Sequence, residues 1–374
     1  MKLANSKNNA RLAKVEGYIL AFSKPLMRTP LTIEEIEFDL LVVIVTVARN
    51  KGSDNPGYLL QTAIGMQKLL KKDKYFKRKF MFVCNTEVKP KSHADAIRLQ
   101  EFLPYVQRYG TNNIKVEGIP NTPMINSKLK SNARKKEISD YAFCLQAAKR
   151  LKFKYVLMLE DDVIPHENML EILNYTLSKK IVKKTDHDGR QVTKVKDFTF
   201  IKLYYPQLWQ GYAFEIIPIL ELISIGSIGG SMFVLVNWLL TPNTRASQAP
   251  PYRVLWWTFL LGMIIFILIA EIVGRVFVMD LRRITPFLFR MRESSACCTQ
   301  AMLYKKDKIQ SICDHILKNN SLNKDLAIYD LTLKTGIPGY QIEPNLFHHT
   351  GLQTSLADTY KEPEAYIFDT RIFN

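Results

Sequence analysis

The chain has 374 residues, of which 47% are hydrophobic and 23% charged, and its formal net charge is +17. This length can form one large domain or two ordinary ones, and the mixed composition excludes a disordered or fibrous protein. The positive charge suits an anionic environment, but the basic residues are scattered and accompany no nucleic-acid-binding signature, so no nucleic acid partner is predicted.

The first half of the chain alternates predicted strands and helices after a polar lead-in, residues 1–37. Residues 38–47 form a continuous β-branched run that is apolar on both faces, which is typical of a buried parallel strand. The alternation predicts an α/β fold with a mainly parallel sheet. The later elements predicted here are helices at 58–70, 92–108 and 134–151 and strands at 79–85, 112–118 and 154–159.

Two long apolar runs follow, at residues 216–240 and 254–279, separated by a short turn rich in helix-breaking residues. Each run exceeds the ~20 residues needed to cross about 30 Å of hydrocarbon, and buried core helices are the alternative. Gly226 and Gly230 would let the two helices approach closely. An even number of crossings returns the chain to the same side, so that the flanking segments can complete one domain.

Beyond the hairpin, a strand is predicted at 296–304, a helix at 305–318, a further helix near Asp325 and a loop-rich tail from residue 338. The five cysteines have no zinc-ligand spacing, and their odd number leaves at least one unpaired. Glycosylation sequons at Asn174 and Asn319 weakly favour a lumenal location. The first 37 residues contain no apolar run long enough for a signal peptide or anchor.

The sharpest feature is the acidic triplet Glu160-Asp161-Asp162, at the end of the apolar run 154–159. Three consecutive carboxylates at the carboxyl end of a strand are unfavourable unless a cation compensates them, and ligands bind at that edge of open α/β sheets. Carboxylate oxygens suit Mg²⁺ or Mn²⁺, which would neutralise the charge on a departing diphosphate. The alternative is an acidic turn that caps the helix after Pro165.

A second candidate is the pair His348-His349. A neutral imidazole can join carboxylates around Mn²⁺, although an adjacent histidine pair alone belongs more often to a surface or a core.

The triplet after a strand, the interrupting hairpin and the late segment 346–356 together resemble the Golgi family named post-GPI attachment to proteins factor four. That family adds GalNAc to glycosylphosphatidylinositol (GPI) anchors, and the similarity spans about residues 38–356. The late segment also resembles the class-four GlcNAc transferases of complex N-glycans, whereas the hairpin selects the anchor-modifying family.

The resemblance implies a GT-A glycosyltransferase domain, which is a Rossmann-like α/β fold, interrupted by a transmembrane hairpin. Residues 38–214 would form its nucleotide-sugar half, 215–279 the hairpin and 280–374 the acceptor side. It further implies UDP-GalNAc as donor, Mn²⁺ or Mg²⁺ as cofactor, and GPI-anchored proteins or the GPI glycolipid as acceptor beside the lipid bilayer. The expected location is the Golgi membrane with a lumenal catalytic domain.

Carried over residue by residue, Glu160, Asp162 and His349 would bind the metal. Transfer with inversion requires a base, for which Asp325 is the candidate and Asp330 the reserve; helix capping is the alternative for Asp325. The residues expected to hold the donor are Val47, Arg49, Asp140, Glu160 and Asp161. For Arg49 and Asp140, the alternative is a solvated surface charge.

Other interpretations stay open at this point. A count of arginines beside the hairpin, with Arg275, Arg282 and Arg283 on the side of the flanking segments, would place the catalytic domain in the cytosol. A glycosyltransferase acting there on another lipid-linked acceptor, a class-four-like enzyme on N-glycans and a non-catalytic membrane scaffold are the alternatives.

Overall fold

The computed structural model describes residues 2–21, 36–49, 55–110, 130–187, 190–240 and 252–352. The chain forms two compact units, one from Met1–Tyr205 with Phe289–Asn374 and the other from Pro206–Leu288. We call them the sheet unit and the hairpin unit. The predicted strand at 112–118, the turn between the apolar runs and the end of the late segment lie outside the described residues.

The helices and strands follow one another along the chain as α1 (Lys2–Ala21), β1 (Glu37–Thr46), α2 (Tyr58–Lys72), β2 (Lys79–Asn85), α3 (Ala94–Gln100), β3 (Tyr105–Gln107), α4 (Lys130–Lys149), β4 (Lys152–Glu160), β5 (Val163–Pro165), α5 (Met169–Tyr175), β6 (Val182–His187), β7 (Arg190–Val195), β8 (Ile201–Lys202), α6 (Ile216–Leu240), α7 (Tyr252–Val273), α8 (Arg275–Asp280), β9 (Arg290–Glu293), β10 (Ala301–Lys305), α9 (Ile309–Lys318), α10 (Lys324–Thr335), β11 (Tyr340–Glu343) and β12 (Phe347–His349).

The main sheet has eight strands in the order β3-β2-β1-β4-β10-β8-β11-β9. The pairs β2–β3, β1–β2, β1–β4 and β8–β11 are parallel, and the other three pairs are antiparallel. The α/β class with a mainly parallel sheet is therefore confirmed. Strand β12 pairs with β5 in a separate two-stranded sheet.

Strand β1 is apolar from Leu40 to Val45 because both of its faces are covered there. Leu40, Val42 and Ile44 pack into a hydrophobic cluster with residues of α2, while Leu41 and Val43 pack into a second cluster with residues of α4. Each such fully buried side chain contributes about 1.5–3 kcal/mol relative to an exposed one. This burial fixes the strand whose carboxyl end opens into the site described below.

Three sequence predictions in the sheet unit are wrong in part. The helix predicted at 92–108 ends at Gln100, and the half-buried strand β3 follows. The strand predicted at 296–304 begins only at Ala301, because the ammonium of Lys202 binds the carbonyl groups of Ser295 and Cys297 in a preceding loop. The tail from residue 338 is not only loop, since it supplies β11 and β12.

The hairpin unit contains two helices, α6 and α7, that are long and apolar enough to cross a membrane. Only 17% and 11% of their most apolar stretches are buried, which distinguishes them from core helices. The second helix ends at Val273, short of the predicted Met279, because Gly274 adopts a φ of 87° and interrupts it.

Glycines bring α6 and α7 into close contact, as the sequence predicts. A Cβ added to Gly226 would lie 2.8 Å from Met263, and one added to Gly262 would lie 2.7 Å from Phe233. Backbones can approach this closely only where side chains are absent, which is the usual packing of small residues between spanning helices.

An ion-pair network joins the helix ends remote from residues 241–251. Glu221 near the start of α6 binds Arg275, directly after α7, through a 2.7 Å contact with Nε, and it binds Arg282 at 2.7 Å. Arg275 is buried, whereas Glu271 is exposed. Glu221 thus has defined structural partners at this end of the hairpin.

Candidate active site

The carboxyl ends of β1 and β4 open into a cleft. The two strands are parallel, with Val45 opposite Glu160, so the segments that follow them leave the sheet at the same edge. The cleft has a volume of about 310 Å³, and all five residues expected to hold the donor line it, namely Val47, Arg49, Asp140, Glu160 and Asp161. It is also lined by residues that the sequence did not indicate, among them Thr46, Thr86, Glu87, Lys136 and Lys324.

The guanidinium of Arg49 compensates the acidic triplet. Its Nη2 lies 2.6 Å from Oδ1 of Asp161, and its Nη1 lies 2.8 Å from Oδ2 of Asp162. Burial lowers the pKa of Arg49, but the charges of the neighbouring carboxylates outweigh it and raise that pKa. Arg49 is therefore part of the site and not a solvated loop charge.

A buried hydrogen-bond relay orients Asp161. The hydroxyl of Thr46 donates to Oδ2 of Asp161 at 2.7 Å, and the oxygen of that hydroxyl lies 2.7 Å from Nε2 of His93. Since a hydroxyl has one proton, His93 must donate its Nε2–H to Thr46. Burial and the charge of Arg49 lower the pKa of His93 to about 4, which keeps the ring neutral in this role.

We expect His93 to make stability depend on pH. The folded protein binds a proton at His93 only near pH 4, whereas the unfolded chain binds one near pH 6.5. Stability is then fully present above pH 6.5 and is lost as the pH falls toward 4. Urea denaturation in detergent measures the free energy of unfolding at pH 7 and at pH 5. Between these two pH values, His93→Gln should lose less of this free energy than the wild type, because glutamine keeps an N–H donor and does not titrate. An identical loss in both proteins would contradict this role.

The late histidine pair is brought to the triplet by the pairing of β12 with β5, in which His349 lies opposite Val163. Nε2 of His349 is 2.9 Å from Oδ2 of Asp162, and the backbone N–H of Thr350 donates to the carbonyl of Asp162 at 2.8 Å. His348 is also buried, with its ring 6.3 Å from that of His166. The structure therefore joins two motifs that lie far apart in the sequence.

The donor atoms fit a divalent cation in part. In the described part of the chain, no three histidine, cysteine, aspartate or glutamate side chains converge as a complete set of metal ligands. Asp162 and His349 nevertheless present an oxygen and an imidazole nitrogen to the same point, whereas Glu160 is held by Lys324. Mg²⁺-type sites commonly use one or two carboxylates together with substrate phosphates and water, so the carboxylate of Asp162 suits such a site. The neutral imidazole of His349 can join that carboxylate around Mn²⁺.

Gly351 is packed against the carboxylate of Asp162. A Cβ at this position would overlap Oδ2 and lie 2.8 Å from Cγ of Asp162. We expect Gly351→Ala to lower kcat of sugar transfer by about 100-fold through displacement of the carboxylate. Gly17→Ala is the control, since a Cβ there meets no atom within 4 Å. Equal rates for the two variants would show that the position of Asp162 is not critical.

Lys324, the first residue of α10, is buried between two carboxylates. Its Nζ lies 2.9 Å from Glu160 and 2.8 Å from Glu137, and the hydroxyl of Thr299 donates to the same oxygen of Glu160 at 3.0 Å. Burial lowers the pKa of Lys324, but these carboxylates outweigh it and raise that pKa. Lys324 therefore fixes the direction in which Glu160 points.

Asp140 organises the cleft wall formed by α4. It pairs with Arg108, and it accepts hydrogen bonds from Lys136 at 2.5 Å and Tyr109 at 3.0 Å. Burial raises the pKa of Asp140 despite its basic neighbours. Asp140 is therefore not a solvated helix residue, and it holds Lys136 at the cleft.

A disulfide between Cys84 and Cys144 joins β2 to α4 at this wall. A second one joins Cys297 and Cys298, and Cys313 is a buried thiol. Five cysteines in two bridges leave one unpaired, as their odd number predicts.

The two candidate bases lie in different surroundings. Asp325 follows Lys324 directly, and its carboxylate accepts the backbone N–H groups of Cys298 at 3.1 Å and Leu326 at 2.9 Å. Asp330 binds His315 at 2.8 Å and Lys334 at 2.7 Å. Neither residue lines the cleft, but Asp325 directly follows Lys324, which does.

A mainly parallel sheet with paired carboxylates and cations at its acidic strand end, and two inserted helices long and apolar enough to cross a membrane, fits a membrane-associated glycosyltransferase. The family model described as GPI-N-acetylgalactosamine transferase PGAP4 matches residues 40–348, and the chain belongs to this family. Its membership excludes the scaffold alternative, because the family is one of enzymes.

Proposed function

We propose that this glycosyltransferase moves GalNAc from UDP-GalNAc onto a mannose of the GPI-anchor glycan, with inversion and with Mn²⁺ or Mg²⁺. Family membership supports the sugar and the acceptor. The observation that carries the proposal is the meeting of Asp162 with Arg49 and His349 beside the cleft that ends β1 and β4.

The cleft suits a nucleotide diphosphate in size. Its volume falls at the lower end of the 300–1,000 Å³ typical of small-molecule sites. Its lining carries five carboxylates and three basic side chains, Arg49, Lys136 and Lys324, so an anionic diphosphate would bind there together with a divalent cation. Glu160 supplies an acceptor for a ribose hydroxyl. In this assignment the diphosphate lies next to Arg49, at the carboxyl edge of the sheet where α/β folds bind nucleotides.

Asp162 and His349 would hold the divalent cation. When bound, such a cation supplies charge neutralisation for the departing diphosphate. The residues of the chain do the remaining work: Arg49 fixes Asp162, the relay from His93 fixes Asp161, and Lys324 holds Glu160 out of the cation site. This division assigns Glu160 to the donor and leaves it outside the cation's direct ligands.

Asp325 is the proposed base. It takes the proton of the acceptor hydroxyl while that oxygen forms a bond to the anomeric carbon and the bond to the UDP oxygen breaks. The backbone N–H groups of Cys298 and Leu326 hold its carboxylate in place. Asp330 is the reserve, but its contacts with His315 and Lys334 fit a structural role between α9 and α10.

The Golgi lumen is the proposed location of the sheet unit. A disulfide buried between β2 and α4 favours an oxidising compartment, because cytosolic thiols are kept reduced. Mapping glycosylation at Asn174 and Asn319 tests this orientation. Modification of either site supports the lumen, whereas free sequons together with a reduced Cys84 would place the sheet unit in the cytosol.

The deciding experiment offers the purified protein a GPI glycan, Mn²⁺ and, in separate reactions, UDP-GalNAc, UDP-GlcNAc and UDP-galactose. Mass spectrometry should detect one added GalNAc, and NMR should show a β-linkage, opposite to the α-linkage of the donor. Transfer of GlcNAc to an N-glycan with none to the GPI glycan would instead support the class-four alternative.

A further inference from the structure

The hairpin unit carries large apolar side chains outside its two long helices. They flank the helix ends remote from residues 241–251, before α6 and after α7. We call this set the collar, and its members are Trp209, Phe214, Phe277, Leu281, Ile284 and Phe287, all of them exposed.

The collar brings several strongly exposed large apolar side chains to one end of the hairpin, whereas single exposed hydrophobic residues are common on protein surfaces. Ile284 is 79% and Phe287 70% exposed, and both lie in a segment of two short 3₁₀ turns after α8. A group of large exposed apolar side chains of this kind marks contact with a partner protein or a membrane.

The collar is also held in a fixed arrangement. Gly274 turns the chain out of α7, and Arg275 then binds Glu221 and the carbonyl of Gln210. Arg282 binds the same Glu221. These bonds connect the segment before α6 to the segment after α7, so that collar residues from both segments belong to one end of the hairpin.

We propose that the collar lies in the interfacial layer of the bilayer, with its apolar side chains between the lipid headgroups. The collar is continuous with α6 and α7, the helices suited to span the hydrocarbon. Four of its six members are aromatic, and one of these, Trp209, is of the type that interfacial belts favour. Arg282 and Arg283 lie between Leu281 and Ile284 and are held in ion pairs with Glu221 and Asp280, so the apolar side chains are the part of this segment that is left to contact the lipid.

The collar thereby limits how the enzyme sits in the membrane. Spanning helices alone leave depth and tilt free, and interfacial aromatic and arginine anchors set them. This inference rests on the hairpin crossing a membrane and does not depend on the identity of the sugar or the acceptor.

Spin labels test the depth of the collar directly. Ile284→Cys and Phe287→Cys would be labelled in the full chain reconstituted in phosphatidylcholine–phosphatidylserine nanodiscs, and collision rates with oxygen and with a water-soluble nickel chelate would be measured. Leu333→Cys in α10 is the control, since Leu333 is 67% exposed but belongs to the sheet unit.

Labels at 284 and 287 should collide with oxygen at least about five times more often, relative to the nickel chelate, than the label at 333. The same ratio at all three positions would show the collar in water and overturn the proposal. Protection of 284 and 287 from both reagents would show that protein covers the collar, which also overturns it. None of these readings requires donor or acceptor, so failure of the sugar assignment is distinguishable.

Discussion

Replacing Asp162 by asparagine is expected to lower kcat of sugar transfer by about 1,000-fold or more, and the variant should still fold. The carboxylate is the point at which Arg49 and His349 meet, and asparagine keeps its shape but removes the charge that a divalent cation requires. The measurement is single-turnover transfer from UDP-GalNAc at saturating Mn²⁺.

Asp307→Asn is the matched control for this variant. Asp307 is 66% exposed and its ion pair with Lys308 is long, at 3.9 Å, so its rate should remain that of the wild type. Calorimetry of UDP with Mn²⁺ separates binding from chemistry: Asp162→Asn should lose the Mn²⁺-dependent part of UDP binding. A wild-type rate of transfer in purified Asp162→Asn would contradict the assignment of Asp162 to the cation site.

The largest expected effect on stability comes from Lys324→Met. Removal of the buried ammonium leaves Glu160 and Glu137 without their shared cation. Breaking a buried ion pair costs about 3–5 kcal/mol, and the lower value of about 3 kcal/mol is expected here because both carboxylates keep some exposure. Urea denaturation in detergent, followed by tryptophan fluorescence, measures the free energy of unfolding.

Lys334→Met tests whether the effect is specific to the buried site. Lys334 lies on the same helix α10, is 56% exposed and pairs with Asp330 one turn away. Exposed pairs of this kind contribute under about 0.5 kcal/mol. Lys324→Arg should recover part of the lost stability, since it restores the charge. If Lys324→Met were no less stable than Lys334→Met, Lys324 would not support the cleft.

The strands that carry the site could be predicted because each contains a run of apolar residues within one short segment, and such a run indicates a buried strand. Strands β1, β2 and β4 each contain an apolar run toward their carboxyl ends, since they are covered there on both faces. The edge strand β3 and the two-residue strand β8 were missed because so few residues leave no periodic pattern. Pairing with neighbouring strands determines where β3 and β8 form, and the residues of these segments alone do not indicate that pairing.

The same distinction applies to the site. The triplet Glu160-Asp161-Asp162 and His349 were found because unusual residues stand together after an apolar strand or within a family segment. Lys324 and His93 carry no such signal, because a lone lysine or histidine is common in soluble segments. Their roles arise from contacts over 164 and 47 positions of sequence separation, respectively, which only the folded chain brings together.

The most direct measurement is the anomalous scattering of Mn²⁺ in crystals grown with UDP. We predict one peak within coordination distance of Asp162 and His349, with the diphosphate between it and Arg49 and the uridine along the cleft lined by Asp140. An Mn²⁺ peak away from Asp162, or UDP bound outside this cleft, would contradict the account.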